Sequence, residues 1–479
     1  MNKPIRRVAF VAMVMFALLL GNVTYSVLFR QAGLDADSQN RRTRDAEFAQ
    51  DRGAILATGK VPMAETESSD DRFRFQRVYP DDDLYSVVTG YYSYDHGRTG
   101  LENSYNTQLA GTDDSLFVRR LVDLVTDSPQ KGASVQTTIV PRVQKAAAEA
   151  LGNQNGAVVA LDPRTGAVLA MVTSPGYDPN TVASHDIEAA NKSWSALAKD
   201  KTRPLANRAA REIYPPGSTF KLVTAAAALE DGMSADSKVA SPDRLKLPGT
   251  NTFLPNSTNC GGTEVSITQA LKVSCNTAFA NLGIELGQSK LREQAQLFGF
   301  DQRHLDDLGG VASQFPDSLE DSQLALSAIG QYDVAASPLQ MAMVTAGIAN
   351  DGAVMDPYVV SMVQGPDLKP ISTTNPTKLS QAMTPANAKE LQEMMRVVVA
   401  EGTGSTAQIS GVDVAGKTGT AQSDPSRKPF AWFTSFAPVD DPKVAVAVIV
   451  EDADIPREDI AGGRVAAPIA RATMQAALS

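Results

Sequence analysis

Tyr214-Pro215-Pro216-Gly217-Ser218-Thr219-Phe220-Lys221-Leu222-Val223 places a helix breaker directly before a helix start. Two prolines and a glycine cannot carry a helix in from upstream. Ser218 suits an N-cap or a first turn. Thr219 to Glu230 is apolar and Ala-rich, so a buried helix is expected from Ser218, ending near Asp231-Gly232. A spacing of three residues is just under one turn and puts Ser218 and Lys221 on one face. A serine is a poor nucleophile until a base takes its proton. A lysine in a buried, helix-capped site can have its pKa lowered enough to be that base. Backbone N–H groups at the helix start can stabilise negative charge developing beside the serine. Ser-x-x-Lys alone is common at solvated helix starts, so the rest of the chain must carry the case.

Working outward, 479 residues are too many for one ordinary domain, and two or three units are expected. With 43% hydrophobic and 20% charged residues, the composition is that of a globular protein. A net charge of -10 argues against nucleic acid and offers no basic patch for anionic lipid. The three histidines, His96, His185 and His304, are scattered without metal-ligand spacing. His185 and His304 read as surface-loop residues. No metal and no cofactor is expected.

The N-terminus is short and basic, with Lys3, Arg6 and Arg7. Val8 to Phe29 is then mostly apolar and long enough to span a bilayer as one helix. The flanking positive charges place the N-terminus in the cytoplasm. A cleaved signal peptide is the rival reading, but no small-x-small cleavage site follows the run. Residues 1–29 are therefore expected to be a tail and anchor in the plasma membrane, with the bulk of the chain outside the cytoplasm.

Residues 30–150 form a second, non-catalytic unit, with short strands at Arg52 to Leu56 and Gly59 to Ala64 and a helix at Leu116 to Thr126. From Gly156 the pattern changes. Ala157 to Leu161 and Ala167 to Thr173 make a hairpin around Asp162 to Gly166. Helices are expected over Ile267 to Gly287 with a joint near Ser274 to Asn276, over Leu324 to Ala349 with a break at Ser337-Pro338, and over Ala386 to Ala400. Val414 to Ala421 is extended, Phe430 to Ala437 and Val444 to Glu451 form a hairpin, and Val465 to Leu478 is a last helix. Strands first and last with helices between imply an α+β fold, an antiparallel sheet with helices around it, over residues 151–479.

Three segments now stand together in order: Ser218-x-x-Lys221, Ser274-Cys275-Asn276 and Lys417-Thr418-Gly419-Thr420. Each is weak alone, but the set resembles the signature of the serine penicillin-recognising enzymes. The segments around them are similar to those of class B penicillin-binding proteins. They include Ala157 to Gly166, Ile329 to Gln331, Ser337 to Ala342, Ala349 to Gly352 and Gly402 to Gly404. Arg52-Gly53 and Gly100-Leu101-Glu102 resemble that class's membrane-proximal pedestal. The short pedestal, and a cysteine inside the second motif, look like the short actinobacterial penicillin-binding protein A type.

The resemblance implies a peptidoglycan D,D-transpeptidase that cross-links stem peptides in growth or septation, is acylated by β-lactams, and works beside a polytopic glycosyltransferase and other division proteins. It implies Ser218 as nucleophile and Lys221 as its base. Ser274 would relay a proton, and Asn276 would orient Lys221 and the substrate amide. Lys417 and Thr418 would hold the substrate carboxylate, and Gly419 would let substrate lie on the strand edge. The backbone N–H groups of Ser218 and Thr420 would form the oxyanion hole. The alternatives are a D,D-carboxypeptidase or β-lactamase, and a catalytically silent division scaffold. No motif marks the acid a lactamase needs for deacylation, and no motif residue is missing as a silent scaffold would allow.

Cys260 and Cys275 are the only cysteines, both in the part expected outside the cytoplasm, where disulfides persist. A bridge would close a loop of about 15 residues, stabilise by roughly 3 kcal/mol, and pin the second motif. Two buried free thiols are the alternative.

Overall fold

The computed structural model describes residues 3–26, 29, 41–114, 131–422 and 427–479. An isolated apolar helix, Lys3–Tyr25, opens the chain, long enough to cross a membrane and with none of its residues buried. It begins five residues before the expected run. The helix expected at Leu116 to Thr126 lies outside the described residues.

The larger unit is built on a five-stranded antiparallel sheet in the order Ala415–Ala421, Phe430–Ala437, Val444–Val450, Gly156–Leu161, Val168–Ser174. Its strands are apolar without alternation because helices cover both faces. Side-chain direction still alternates with period two and feeds two cores. Ala157, Val159, Trp432, Ala447 and Ile449 face one core, and Val158, Ala160, Phe433, Val446 and Val448 the other. The first core is shared with the buried helices Lys221–Glu230 and Pro338–Ala349. The second is closed by Pro141–Leu151 and Gly462–Leu478, which pack on each other and on the sheet.

The hairpins and most helices fall where the sequence puts them, but the helix expected to end at Gly287 runs on to Leu297, with Gly287 itself non-helical at φ 79°. The last helix starts at Gly462 rather than Val465. The break at Ser337-Pro338 widens into a ten-residue connection, 328–337, between helices Asp321–Ser327 and Pro338–Ala349. His304 is buried, its Nε2 2.8 Å from Gly299 O, and His185 is tucked against Phe73 beside Asp71. His304 thus departs from the surface loop expected of it, because its ring nitrogen finds a carbonyl oxygen on burial, whereas His185 lies in a loop with its side chain partly exposed, as expected.

The N-terminal unit and the larger one interlock. A six-stranded sheet runs Pro370–Thr373, Val360–Gln364, Ser134–Thr137, Ile55–Leu56, Pro62–Ser68, Phe75–Val78, so two of its strands come from far down the chain. Helix Pro141–Leu151, in turn, belongs to the catalytic sheet's covering layer. Strands Val360–Gln364 and Pro370–Thr373 thus belong to the sheet of the N-terminal unit.

One buried carboxylate ties the pedestal together. Glu102 is fully buried and accepts 2.6 Å bonds from Arg52 Nε and Arg77 Nε, with Tyr79 OH at 3.2 Å. Removing one member of a buried ionic cluster strands the others in low dielectric. Glu102→Ala is expected to lower stability by about 3–5 kcal/mol, read as a shift of the urea midpoint of the full chain in detergent micelles. A loss below about 1 kcal/mol would mean that water or another acceptor reaches both guanidiniums.

Candidate active site

The α-helix proper begins at Lys221, and Ser218 lies one turn earlier in a 3-10 turn, Gly217–Thr219. Gly217 enters that turn at φ 53°, a conformation that disfavours any side chain. Thr219 Oγ1 donates to Pro216 O at 2.7 Å and tightens it. The approach is pinned from three sides. Gly217 N donates to Gly330 O (2.9 Å), Trp432 Nε1 to Pro215 O (3.0 Å), and Tyr214 OH to the buried Glu451 Oε1 (2.9 Å).

The Ser218 turn packs directly on the edge strand Ala415–Ala421. A Cβ at Gly419 would stand 2.9 Å from Thr219 Cγ2 and 3.0 Å from Pro216 O. Gly419 therefore makes room for the serine turn.

The second motif joins helices Ile267–Lys272 and Asn276–Leu297. Cys275 N donates to Ala270 O (2.8 Å) and Ser274 N to Leu271 O (3.2 Å), the paired bonds of a Schellman helix end. Ser274 occupies the left-handed position of that motif, at φ 58°, where glycine is usual. A non-glycine residue there costs of order 1–3 kcal/mol and persists only where its surroundings hold it. Two observed contacts do so. Cys260 and Cys275 are disulfide-bonded, with Cα atoms 5.5 Å apart, which ties the loop before the motif to its centre. Asn256 Oδ1 accepts from Thr277 N (2.9 Å) and its Nδ2 donates to Thr277 Oγ1 (2.9 Å).

Both lysines end on this loop. Lys221 Nζ is 2.8 Å from Ser274 O, 2.8 Å from Asn276 Oδ1 and 3.3 Å from Ser274 Oγ. Lys417 Nζ lies 2.9 Å from the same Ser274 hydroxyl and 2.8 Å from Thr418 O. Both side chains are fully buried. Desolvation, and then the charge of Lys417, hold the Lys221 ammonium well below the ordinary lysine value. Desolvation pushes Lys417 down to about 7. Two cations cannot both be sheltered beside one hydroxyl, so Lys221 is poised to be a neutral amine with a free lone pair. Among the described residues nothing is hydrogen-bonded to Ser218 Oγ, which leaves the hydroxyl open to the cleft.

That cleft holds about 500 Å³ and is lined by Ser218, Ser274, Asn276, Thr418 and Thr420, with Lys221 and Lys417 behind them. Ser218, Lys221, Ser274, Asn276, Lys417, Thr418 and Thr420 thus meet at one place, with Gly419 packed against the serine turn and the Cys260–Cys275 bridge in the adjoining loop. Sequence reasoning did not single out Thr403, whose Oγ1 is 2.7 Å from Thr418 Oγ1, nor Arg464, both of which line the cleft. The signals were faint: Gly402-Thr403-Gly404 and Gly462-Gly463, small residues that allow close packing. Among the described residues no group of acidic, cysteine or histidine side chains has the arrangement of a metal site.

Comparison with known proteins gives the following. Residues 156–475 match the profile of the penicillin binding protein transpeptidase domain, and residues 52–135 that of the penicillin binding protein A dimerisation domain. The peptidoglycan D,D-transpeptidase PbpA of Mycolicibacterium smegmatis is 46% identical over 490 residues, covering 100% of this chain and 99% of its own. PbpA of Mycobacterium tuberculosis is 43% identical over 493 residues, with the same coverage. The ceftriaxone acyl-enzyme complex of M. tuberculosis penicillin-binding protein A superposes with a TM-score of 0.88 at 42% identity, covering 91% of this chain and 100% of that one. The penicillin G acyl-enzyme complex of that protein gives 0.86 at 42% identity, covering 90% and 100%.

Proposed function

Since this chain belongs to the penicillin-binding protein transpeptidase family, we infer that it is a peptidoglycan D,D-transpeptidase working through a serine acyl-enzyme. The observation that carries the reading is the Ser274 hydroxyl held between the two buried lysines, 3.3 Å from Lys221 and 2.9 Å from Lys417, with Ser218 open to the same cleft. Ser218 Oγ attacks the carbonyl of the donor stem peptide as Lys221 takes its proton. The N–H groups of Ser218 and Thr420 hold the oxyanion. The proton passes through Ser274 to the departing amine, while Asn276 fixes Lys221 and the substrate amide. Lys417 and Thr418 hold the terminal carboxylate. An acceptor amine then attacks the acyl-enzyme and the steps run in reverse.

The helix Lys3–Tyr25 supports anchoring in the plasma membrane. We place its basic N-terminal end in the cytoplasm and the catalytic unit outside, beside a polytopic glycosyltransferase and other division proteins. Residues 30–150 serve as a pedestal and residues 151–479 as the transpeptidase unit.

The test is intact mass of the full chain in detergent micelles after exposure to benzylpenicillin, followed by peptide mapping. One adduct per chain, mapped to the peptide carrying Ser218 and persisting for many minutes, is expected. Fast drug consumption without an adduct would indicate a β-lactamase instead, and neither outcome would leave a silent scaffold.

A further inference from the structure

The cleft wall beyond Thr418 is assembled from three distant segments. Thr403 Oγ1 meets Thr418 Oγ1, and Thr406 Oγ1 donates to Gly463 O. A Cβ at Gly462 would fall 2.0 Å from Trp432 O and 2.5 Å from Gly419 O, and one at Gly463 would fall 2.3 Å from Thr403 O and 3.4 Å from Thr418 Cγ2. The absence of two side chains therefore lets residues 462 and 463 close onto the back of the motif strand. This sets Arg464, the next residue, on the cleft wall beside Thr403 and Thr418. Among the described residues, every other one lining the cleft is uncharged. Asp459 accepts from Arg464 Nη1 and steadies the guanidinium at the rim, where it stays more than half exposed.

The two lysines behind the wall are poor sources of steady positive charge. Lys221 must be neutral to act as a base, and Lys417 titrates near 7 while bonded to Ser274 and Thr418 O. A guanidinium keeps its charge at every working pH. Although shared with Asp459, a guanidinium at the rim of a hydroxyl-lined cleft still attracts an entering anion.

We propose that Arg464 is a specificity-determining residue, which draws the terminal carboxylate of the substrate onto the Thr403–Thr418–Thr420 wall. The inference rests on the transpeptidase reading above and adds to it the requirement for a carboxylate-terminated acyl donor recognised by a third cation.

The experiment compares benzylpenicillin with its methyl ester, which keeps the ring and side chain and masks the carboxylate. Second-order acylation rates are measured on the full chain in detergent micelles at two salt concentrations. In Arg464→Gln the acid-to-ester rate ratio is expected to fall about fivefold, as for a partly exposed charge. Arg464→Lys should recover part of the ratio. Asp459→Asn, which releases the guanidinium, should raise it, and added salt should shrink the wild-type ratio more than that of Arg464→Gln. The proposal is overturned if acid and ester rates fall together, because Arg464 would then be architectural, or if the ratio does not move. It is equally overturned if the only loss is toward carbenicillin, which carries a second carboxylate on its side chain. A wild-type chain that neither penicillin acylates would instead remove the transpeptidase reading.

Discussion

Ser218→Ala is expected to remain folded and to take up no benzylpenicillin. The serine sits in a turn held by its neighbours: Gly217 N on Gly330 O, Thr219 Oγ1 on Pro216 O, and Trp432 on Pro215 O. Its own Oγ holds nothing in place, so its removal should change stability by no more than about 0.5–1 kcal/mol. Loss of a nucleophile that cannot be replaced by water in the same position costs roughly 10⁴ to 10⁶ in rate. Fluorescent-penicillin labelling and thermal melting of the same preparation check both halves. Labelling within tenfold of wild type would transfer the nucleophile to another residue, and Ser274, which also lines the cleft, is then a candidate.

Lys221→Met should cut acylation by about 10² to 10⁴, the range for loss of a positioned general base, while the fold persists. The methionine fills the same buried volume without a charge to desolvate. Its pH signature separates a base from a structural lysine. Acylation by the wild type should rise as Lys221 gives up its proton and fall as Lys417 loses its own near pH 7 in the free protein. Lys221→Met should lose the rising limb and keep the fall.

Stability carries a second signature. Lys221 has its folded pKa below the unfolded value, so the unfolded chain binds more protons between the two, and stability must rise with pH across that window. Lys417 adds a rise between about 7 and its unfolded value of 10.5. Lys221→Met should flatten the combined slope, seen as a smaller gain in urea midpoint from pH 7 to pH 9. An unchanged slope would mean that Lys221 is charged in the folded protein and is not the base.

The parts of this site with local causes could be read from sequence. Pro215-Pro216-Gly217 forces a break before the helix, Ser274 to Asn276 interrupts a helical run, and Lys417 to Thr420 opens an extended segment. The parts with non-local causes could not. Nothing near Gly419 announces that the Ser218 turn will lie against it, and nothing near Ser274 announces a left-handed backbone, because that position usually calls for a glycine and a serine there gives no such signal. Arg464 reaches the cleft only because two glycines meet carbonyls of residues 403, 419 and 432. The same holds for the fold. The hairpins of the five-stranded sheet join strands close in sequence, whereas Val360–Gln364 pairs with Ser134–Thr137 across more than 220 residues and has one mostly half-covered face.

That last pairing bears on how the protein can be divided. A fragment cut at the apparent border, 151–479, would lose the helix Pro141–Leu151 that roofs one core of the catalytic sheet. It would also bare the backbone of Val360–Gln364, now bonded to Ser134–Thr137, as a sticky strand inviting other chains to pair with it. The two units are thus stitched through paired backbone, and they are expected to melt together as one cooperative body.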